Sequence, residues 1–318
     1  MKMKELQNLK TLNNKNLLVV LPVNSFEDET LNESLYRLAN QTVPTDVLIL
    51  VSNTLDEDLV KRVEEIATAP YTRVLSTDEN GTPKSEILKS EKVLNFAIET
   101  TTATNFASAF NEAFNLSDIF GYKWVSLVEK DDVTEKNWIE NFNTYSSEME
   151  NISIFLPLIR QVSAGNMIGH LNEATWLDGK AEVAGQADLN ILMSWNCLAP
   201  TGCMINVADV KQYSEEREDK FLPFKENLKI SSSYEFFLRM IYEDLKTYTI
   251  PRYGYQMRMD LNKTSIDAFS SKIPSNITSI SKENGGYSGH EIAFWLEQAK
   301  SEYFMSEDRE IEYTEAVA

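Results

Sequence analysis

The sequence predicts an α/β protein built on one mostly parallel β-sheet with helices on both faces. Two observations carry this prediction. Three short stretches are almost entirely apolar, which is typical of parallel strands that are covered on both faces. Amphipathic stretches with a helical period alternate with them along the chain, as in βαβ units. With 318 residues, of which 42% are hydrophobic, the chain can bury a core of the size that such a fold needs.

The amino-terminal half alternates strands and helices in a regular order. In the first predicted helix, Leu31, Leu35 and Leu38 recur at helical spacing and define one apolar face. The second predicted helix has acidic residues in its first turn, where the helix dipole favours negative charge. The elements predicted in this half are, in order, a strand at 16–23, a helix at 27–42, a strand at 45–53, a helix at 56–69, strands at 72–77 and 92–98 with a polar loop at 79–86 between them, a helix at 105–120 and a strand at 122–132.

The carboxy-terminal half is less regular. Residues 163–200 are rich in Gly, Asn and Ala, which predicts irregular, site-forming segments rather than a regular element. The elements predicted around them are, in order, a strand at 152–162, a strand leading into a short helix at 202–213, a helix at 231–245, an extended segment at 247–260, a loop at 261–286 and a helix at 290–304 before an acidic tail. The chain therefore divides into an amino-terminal segment at 1–16, an α/β domain at 17–260 and a carboxy-terminal extension at 261–318.

The charge balance excludes some classes of partner. The chain carries 49 acidic and 30 basic residues, for a formal net charge of −19, and contains no run of Lys and Arg. These features argue against nucleic-acid binding and against docking on an anionic membrane. They do not exclude phosphorylated ligands, since a bound metal can supply positive charge locally. The apolar run at 17–23 is too short to span a bilayer and no secretory leader precedes it, so we expect a soluble cytoplasmic protein.

The few cysteines and histidines argue against a structural zinc site. Cys197 and Cys203 lie in NCLAPTGC, and His170 and His290 are the two histidines of the sequence. This spacing is not typical of zinc ribbons. We expect two ordinary core thiols, with a redox pair as the alternative.

An apolar strand that ends in clustered charged residues is the first candidate for chemistry. The stretch WVSLVEKDD places Glu129, Lys130, Asp131 and Asp132 directly after a predicted buried strand. In open α/β sheets ligands bind at the carboxyl ends of the strands, and clustered carboxylates there can hold a divalent cation. The alternative is a solvated turn that only ends the strand.

A series of motifs follows in a defined order from residue 17 to about residue 260. They are VVLPVNSFEDETLNESLYRLANQT, VLILVSN, NFASAFNEAF, WVSLVEKDD, TGCMINVADV, SSYEFFLR and YQMRMD. In this order they resemble the motifs of the family-2 glycosyltransferases, which have the GT-A fold and transfer a sugar from a nucleotide-sugar donor to an acceptor. The resemblance implies a GT-A domain, followed here by a helical extension.

The resemblance also implies a donor site and a metal site. A Mn²⁺ or Mg²⁺ ion would bridge the diphosphate of the donor and stabilise the leaving group as a Lewis acid. Asn111 has a second interpretation, in which it only caps or packs within its helix. The residues at donor-binding positions are Pro22, Asn24, Ser52, Asn53, Asn111 and Glu129, and those at metal-binding positions are Asp131, Asp132 and Asp260.

Several of these positions depart from the family's pattern. Glu129 stands where the family has the first Asp of its metal motif, which keeps the charge on a longer side chain. Ser52 and Asn53 stand in place of an Asp that contacts the nucleotide base, so they can form hydrogen bonds but carry no charge. Asp260 stands in place of a His that can bind the metal, and its oxygens are acceptable ligands.

The position of the catalytic base departs most from the family's pattern. The family has an acidic pair there, which removes the proton of the acceptor hydroxyl. The aligned residues are Ser232 and Ser233, and a serine is not a base near neutral pH. Glu235 in the same helix and Glu226 in the preceding loop are the candidate bases. Arg239 is either a salt-bridged residue or a phosphate contact.

Two hypotheses of different class follow. In the first, the chain is an active, metal-dependent, inverting glycosyltransferase with a shifted base, whose partners are a nucleotide-sugar donor and an acceptor. In the second, it is a catalytically degenerate GT-A domain that serves as a structural or binding subunit of a homo-oligomer or larger assembly, for example a virus particle. The retained order of motifs favours the first hypothesis, and the loss of the acidic pair favours the second.

Overall fold

Three apolar strands form the centre of the sheet. In the computed structural model, β1 (Leu17–Val23) pairs in parallel with β2 (Asp46–Ser52) on one side and with β6 (Trp124–Leu127) on the other. Every residue of β2 and β6 is buried, and in β1 all residues but Pro22 are buried. The prediction of three adjacent, covered central strands is therefore confirmed.

The description covers most of the predicted α/β domain. The structure describes residues 12, 15–23, 28–52, 57–77, 83–103, 105–163, 165–177, 183–189, 192, 197–228 and 232–259. The predictions for Asn24, Asn53, Asp260 and the carboxy-terminal extension with His290 lie outside the described residues.

The remaining elements complete the α/β order within the described residues. The further strands are β3 (Tyr71–Thr77), β4 (Pro83–Lys89), β5 (Asn95–Thr101), β7 (Val133–Thr134), β8 (Ile154–Ser163), β9 (Asn166–Leu171), β10 (Met204–Asn206), β11 (Glu215–Arg217), β12 (Lys220–Leu222) and β13 (Thr247–Arg258). The helices are α1 (Asp28–Ala39), α2 (Glu57–Thr68), α3 (Phe106–Ile119), α4 (Trp138–Glu148), α5 (Ala174–Leu177), α6 (Val207–Lys211) and α7 (Ser232–Tyr242), with a 3-10 turn at Glu226–Leu228.

The main sheet is mostly parallel and curls on itself. In the part of the chain that is described, its order is β5-β2-β1-β6-β10-β8-β13-β7, with β9 paired to β8. Because β10 is antiparallel to both β6 and β8, strands β8 and β13 run in the same direction as the central strands. β7 follows β6 after a short turn, yet it pairs with β13 at the far end of the sheet. The sheet must therefore curl to bring β13 next to that turn.

Two segments differ from the sequence prediction. The polar loop predicted at 79–86 overlaps β4, which pairs with β3 in an antiparallel hairpin outside the main sheet. Residues 84–89 of β4 are exposed, so the strand needs no apolar pattern. Its pairing with β3, rather than burial, stabilises it. The irregular region predicted at 163–200 contains β9, an edge strand whose first three residues are exposed.

One apolar layer covers each face of the sheet. On one face, Phe110 and Phe114 of α3 pack with Leu18 of β1. On the other face, the predicted apolar side of α1 is buried together with Val19 of β1. Adjacent β1 residues enter opposite layers, as the two-residue period of a strand requires. Among the described helices, none is long and apolar enough to cross a membrane.

A buried carboxylate begins β2 at the amino edge of the sheet. Asp46 is 1% exposed and accepts hydrogen bonds from the Tyr122 hydroxyl at 2.8 Å and from the side-chain amide of Asn95. Burial raises the pKa of Tyr122 above its usual range, and the neighbouring Asp46 raises it further. The Lys15 ammonium lies 4.6 Å from the centroid of the Tyr122 ring. These contacts join the starts of β2 and β5 to the residues that lead into β6.

We expect Asp46→Ala to lower the free energy of unfolding by about 2–3 kcal/mol, because the buried hydroxyl of Tyr122 loses its acceptor and the exposed Asn95 loses a hydrogen bond. Urea unfolding measures the change. Asp58→Ala is the matched control, since the Asp58 side chain is 86% exposed beside Lys61 and should contribute less than about 0.5 kcal/mol. Equal effects of the two substitutions would contradict a structural role for Asp46.

Candidate functional site

The carboxyl ends of four parallel strands meet at one edge of the sheet. β1 ends just after Pro22, β2 ends at Ser52, β5 ends at Thr101, and β6 runs into the acidic turn, which we define as residues 129–132. Ser52 and Thr101 are register partners and both are buried. Open α/β sheets bind ligands at this edge. The structure thus places Pro22, Ser52 and the acidic turn along this edge.

Three hydrogen bonds from backbone amides hold the acidic turn in place. The Glu129 amide donates to the Tyr255 hydroxyl oxygen at 3.0 Å, and the Asp132 amide donates to the Glu129 carbonyl at 3.1 Å. The Arg258 amide donates to Asp132 Oδ1 at 2.9 Å. Glu129 and Asp132 are 7% and 2% exposed, whereas Asp131 is half-buried. Asp131 is therefore the acidic residue of the turn that a ligand can reach most easily.

The buried phenol of Tyr255 lies in a strongly negative environment. Burial raises its pKa well above the usual value, and the charges of Asp132, Glu129 and Asp131 raise it further, against a smaller opposing effect of the Glu129 amide. Tyr255 therefore keeps its proton near neutral pH. Sequence reasoning missed this residue because it lies on β13, far from the acidic turn along the chain.

The acidic turn does not form a closed metal cage. Within the described residues, no three Asp, Glu, His or Cys side chains are placed to hold a metal ion. One carboxylate oxygen of Asp132 accepts a hydrogen bond from the Arg258 amide, and the side chain is almost fully buried. We therefore assign Asp132 to holding the turn. Mg²⁺ is commonly bound through one or two carboxylates together with substrate phosphates. Asp131 fits that arrangement, in which the cation is held jointly with a diphosphate.

Asn111 holds a neighbouring chain segment through its side chain. It is 2% exposed, its Oδ1 accepts from the Phe224 amide at 2.9 Å, and its Nδ2 donates to the Phe224 carbonyl at 2.8 Å and to Glu226 Oε1 at 3.0 Å. Asn115, one turn later on α3, makes the same pair of bonds to Phe221, at 2.9 and 2.7 Å. The two asparagine side chains thus bind backbone groups of the segment at 221–224 as a neighbouring strand would, and Asn111 also positions Glu226.

The predicted base positions have unequal access to solvent. Ser232 and Ser233 are 3% and 4% exposed, and Glu235 is fully buried. Glu235 accepts from Arg239 at 2.8 Å through Nε and at 3.2 Å through Nη2. A base must reach the acceptor, so this placement makes Glu235 a structural charge and leaves Glu226, which is exposed, as the candidate base.

Arg239 belongs to a buried ion pair rather than to a phosphate site. Besides binding Glu235, it donates to the carbonyl oxygens of Tyr213 at 2.7 Å and Pro223 at 2.6 Å. These bonds fix both ends of the hairpin formed by β11 and β12. The salt-bridge interpretation of Arg239 is therefore correct, although the residue is buried.

The two cysteines are core residues. Cys197 and Cys203 are both free and buried, as expected. Burial raises the pKa of the Cys203 thiol, which keeps it protonated and unreactive.

A half-buried carboxylate lies at the end of β5. Glu112 of α3 accepts a hydrogen bond from the Thr101 hydroxyl. Burial raises the pKa of Glu112, while the bond from Thr101 and the charge of Lys220 oppose the rise. The native state therefore disfavours the charged form of Glu112.

Comparisons with known proteins identify the fold. No protein-family model and no curated protein matches the sequence. Crystal structures of S. aureus TarS are similar at 16% identity. TarS 1–349 in complex with UDP-GlcNAc has a TM-score of 0.52 over 95% of this chain and 76% of that chain. TarS itself has a TM-score of 0.50 over 77% of this chain, and TarS 1–349 in complex with UDP has one of 0.49 over 77%.

The likeness to TarS shows the fold and no more. The chain spans only 37% of the TarS structure and 60% of the UDP complex. The mostly parallel, curled sheet flanked by helices is the GT-A fold of these neighbours, so the predicted fold class is confirmed and the resemblance holds at the level of the fold.

Asn111→Ala should lower the free energy of unfolding by about 2–3 kcal/mol, because the buried amide and carbonyl of Phe224 lose their partners. The loss should appear in the ligand-free protein, by urea unfolding. Asn115→Ala removes the equivalent bonds at Phe221 and should act alike. A variant Asn111→Ala with unchanged stability would instead favour a direct ligand contact.

Glu112→Gln should raise the free energy of unfolding at pH 7, because glutamine still accepts from Thr101 and carries no charge that burial disfavours. The native pKa of Glu112 lies above its ordinary value of 4.5, so the gain should shrink as pH falls through the native pKa and vanish below 4.5. Urea unfolding from pH 3.5 to pH 8 tests this. Glu86→Gln is the control of opposite sign, since Lys84 lowers the pKa of Glu86.

Proposed function

We propose that the protein binds a nucleoside diphosphate sugar at the carboxyl edge of its sheet and transfers the sugar to an acceptor hydroxyl. The observation that carries this proposal is the acidic turn, which lies at the end of a central strand and presents Asp131 while Glu129 and Asp132 are buried. The GT-A fold supports the proposal, because the structure of TarS 1–349 that shares it with a TM-score of 0.52 is a complex with UDP-GlcNAc. A uridine nucleotide is therefore the first donor to test.

Each residue of the proposed donor site has a distinct role. The Ser52 hydroxyl, at the end of β2, offers a neutral hydrogen-bonding group for the nucleotide. Asp131 would bind a Mn²⁺ or Mg²⁺ ion together with the diphosphate, and that ion would supply Lewis-acid stabilisation of the leaving group. Glu129 and Asp132 keep the turn negative without reaching solvent, so their part is to set the local charge and the position of Asp131.

Glu226 is the proposed base. The acceptor oxygen forms a bond to the anomeric carbon as the bond from that carbon to the diphosphate oxygen breaks, and the hydroxyl proton passes to the carboxylate of Glu226. The amide of Asn111 donates to Glu226 Oε1 at 3.0 Å, which orients the side chain. Attack from the face opposite the leaving group inverts the anomeric configuration.

A second candidate function has its own supporting observation. The usual base positions, Ser232 and Ser233, are buried, and Glu235 is neutralised by Arg239. A GT-A domain without a base would bind a partner without transferring sugar. We keep this role, as a structural or binding subunit of a larger assembly, as the alternative.

Asp131→Asn should weaken UDP binding in the presence of Mn²⁺ at least about tenfold, because an amide offers one weaker oxygen and no charge. Calorimetric titration with UDP, with and without Mn²⁺, measures the loss. The free energy of unfolding should change by less than about 0.5 kcal/mol, as for other substitutions outside the core.

Glu226→Gln is the matched control, since a base acts on the acceptor. This variant should bind UDP and Mn²⁺ as the wild type does and should lose turnover of UDP-GlcNAc. Absence of any UDP response in the wild type would refute the donor site and favour the second candidate. Binding without turnover in the wild type would refute only the transferase activity.

A further inference from the structure

The Tyr255 hydroxyl makes a contact at the acidic turn that the proposed donor site does not use. We propose that Tyr255 is a positioning residue, which holds the acidic turn in the conformation that presents Asp131 to a divalent cation and a diphosphate. This inference rests on the proposed function and adds to it a residue from a distant part of the chain.

β13 holds the acidic turn at both of its ends. The Tyr255 hydroxyl oxygen accepts from the Glu129 amide at 3.0 Å, and the Arg258 amide donates to Asp132 Oδ1 at 2.9 Å. The Asp132 amide closes the turn on the Glu129 carbonyl at 3.1 Å. Asp131 lies between these fixed points, so its backbone has little freedom to move. Of these two bonds from β13, the one at Tyr255 comes from a side chain. The substitution Tyr255→Phe removes it and leaves the backbone pairing of β13 in place.

The ring of Tyr255 is itself held by residues that contact β6. Gly202 adopts a φ of +70°, and a Cβ there would lie 2.6 Å from the Tyr255 ring. The Gly202 amide donates to the Leu127 carbonyl at 2.8 Å, and its carbonyl accepts from Trp138 Nε1 at 3.1 Å. Only a glycine permits this close approach with a positive φ. The position of the hydroxyl is thus set relative to the end of β6, where the turn begins.

A neutral hydroxyl suits this position chemically. The negative charges of Glu129, Asp131 and Asp132 each disfavour a negative charge on the Tyr255 oxygen. A carboxylate in place of the phenol would add a fourth negative charge, and an apolar ring would leave the Glu129 amide without its acceptor. A protonated phenol accepts the amide bond and adds no charge.

The test compares Tyr255→Phe with Tyr122→Phe in the full chain. Both substitutions keep a buried ring and remove one hydroxyl, but Tyr122 binds Asp46 at the opposite edge of the sheet. Amide hydrogen exchange of residues 128–134 reports on the turn without any ligand. Titration of MnCl₂ into protein with excess UDP reports on the site.

We expect Tyr255→Phe to speed exchange in residues 128–134 and to weaken Mn²⁺ binding in the presence of UDP about tenfold, as the loss of outer-shell partners of metal ligands does. Binding of UDP without metal should be unchanged. Tyr122→Phe should lower the melting temperature and leave both the exchange of this segment and the Mn²⁺ affinity as in the wild type.

Two outcomes would overturn the inference. Unchanged exchange in Tyr255→Phe would show that the hydroxyl does not hold the turn, and equal effects of both substitutions on Mn²⁺ binding would show a general loss of stability. Faster exchange combined with no UDP response in the wild type would refute the proposed function and still support the positioning of the turn by Tyr255. The two failures are therefore distinguishable.

Discussion

Burial of negative charge at the end of β6 is the constraint on which the rest of the structure depends. Glu129 and Asp132 are almost inaccessible to water, and a buried carboxylate is strongly destabilising unless hydrogen bonds compensate it. β13 supplies a compensating bond from the Arg258 amide to Asp132 Oδ1, and its Tyr255 hydroxyl accepts the bond of the Glu129 backbone amide, although each of these β13 residues follows its partner by 126 residues in the chain. The sheet has to curl so that β13 reaches the turn, and the pairing of β7 with β13 follows from that curl.

Polar side chains hold the segment from residue 213 to residue 226 against the rest of the fold. Asn111 and Asn115 satisfy the backbone of the segment at 221–224, and Arg239 satisfies carbonyl oxygens on both sides of the β11–β12 hairpin. Buried polar groups of this kind stabilise a fold only when all partners are present, so they specify one arrangement of the segments that they join. The consequence for function is direct. Asn111, at a position that the family resemblance gave to the donor site, holds the segment at 221–224 here, and Glu226 beside that segment is exposed.

The sequence predicted the outline of the site better than its details. The acidic turn and Ser52 could be placed at one sheet edge because each follows an apolar strand, and the ends of parallel strands meet at one edge. The role of Asn111 could not be predicted in the same way. The sequence around an asparagine in a helix does not distinguish a side chain that binds a ligand from one that binds a neighbouring backbone segment. Glu235 failed as a base for a related reason, because its pairing with Arg239 and its complete burial depend on how α7 packs.

The sequence by itself determined the elements that have a regular pattern of apolar residues. The central strands β1, β2 and β6 and the buried side of α1 follow from runs of apolar residues, whose burial is favourable wherever the chain places them. Only the tertiary structure decided the β3–β4 hairpin, the strand β9 and the contact of Tyr255 with Glu129. In these cases the stabilising partner is a backbone group or a side chain far away in sequence, and the segment itself carries no apolar pattern that would reveal it. Hydrogen bonds between distant segments leave no period in the sequence, whereas the hydrophobic effect does.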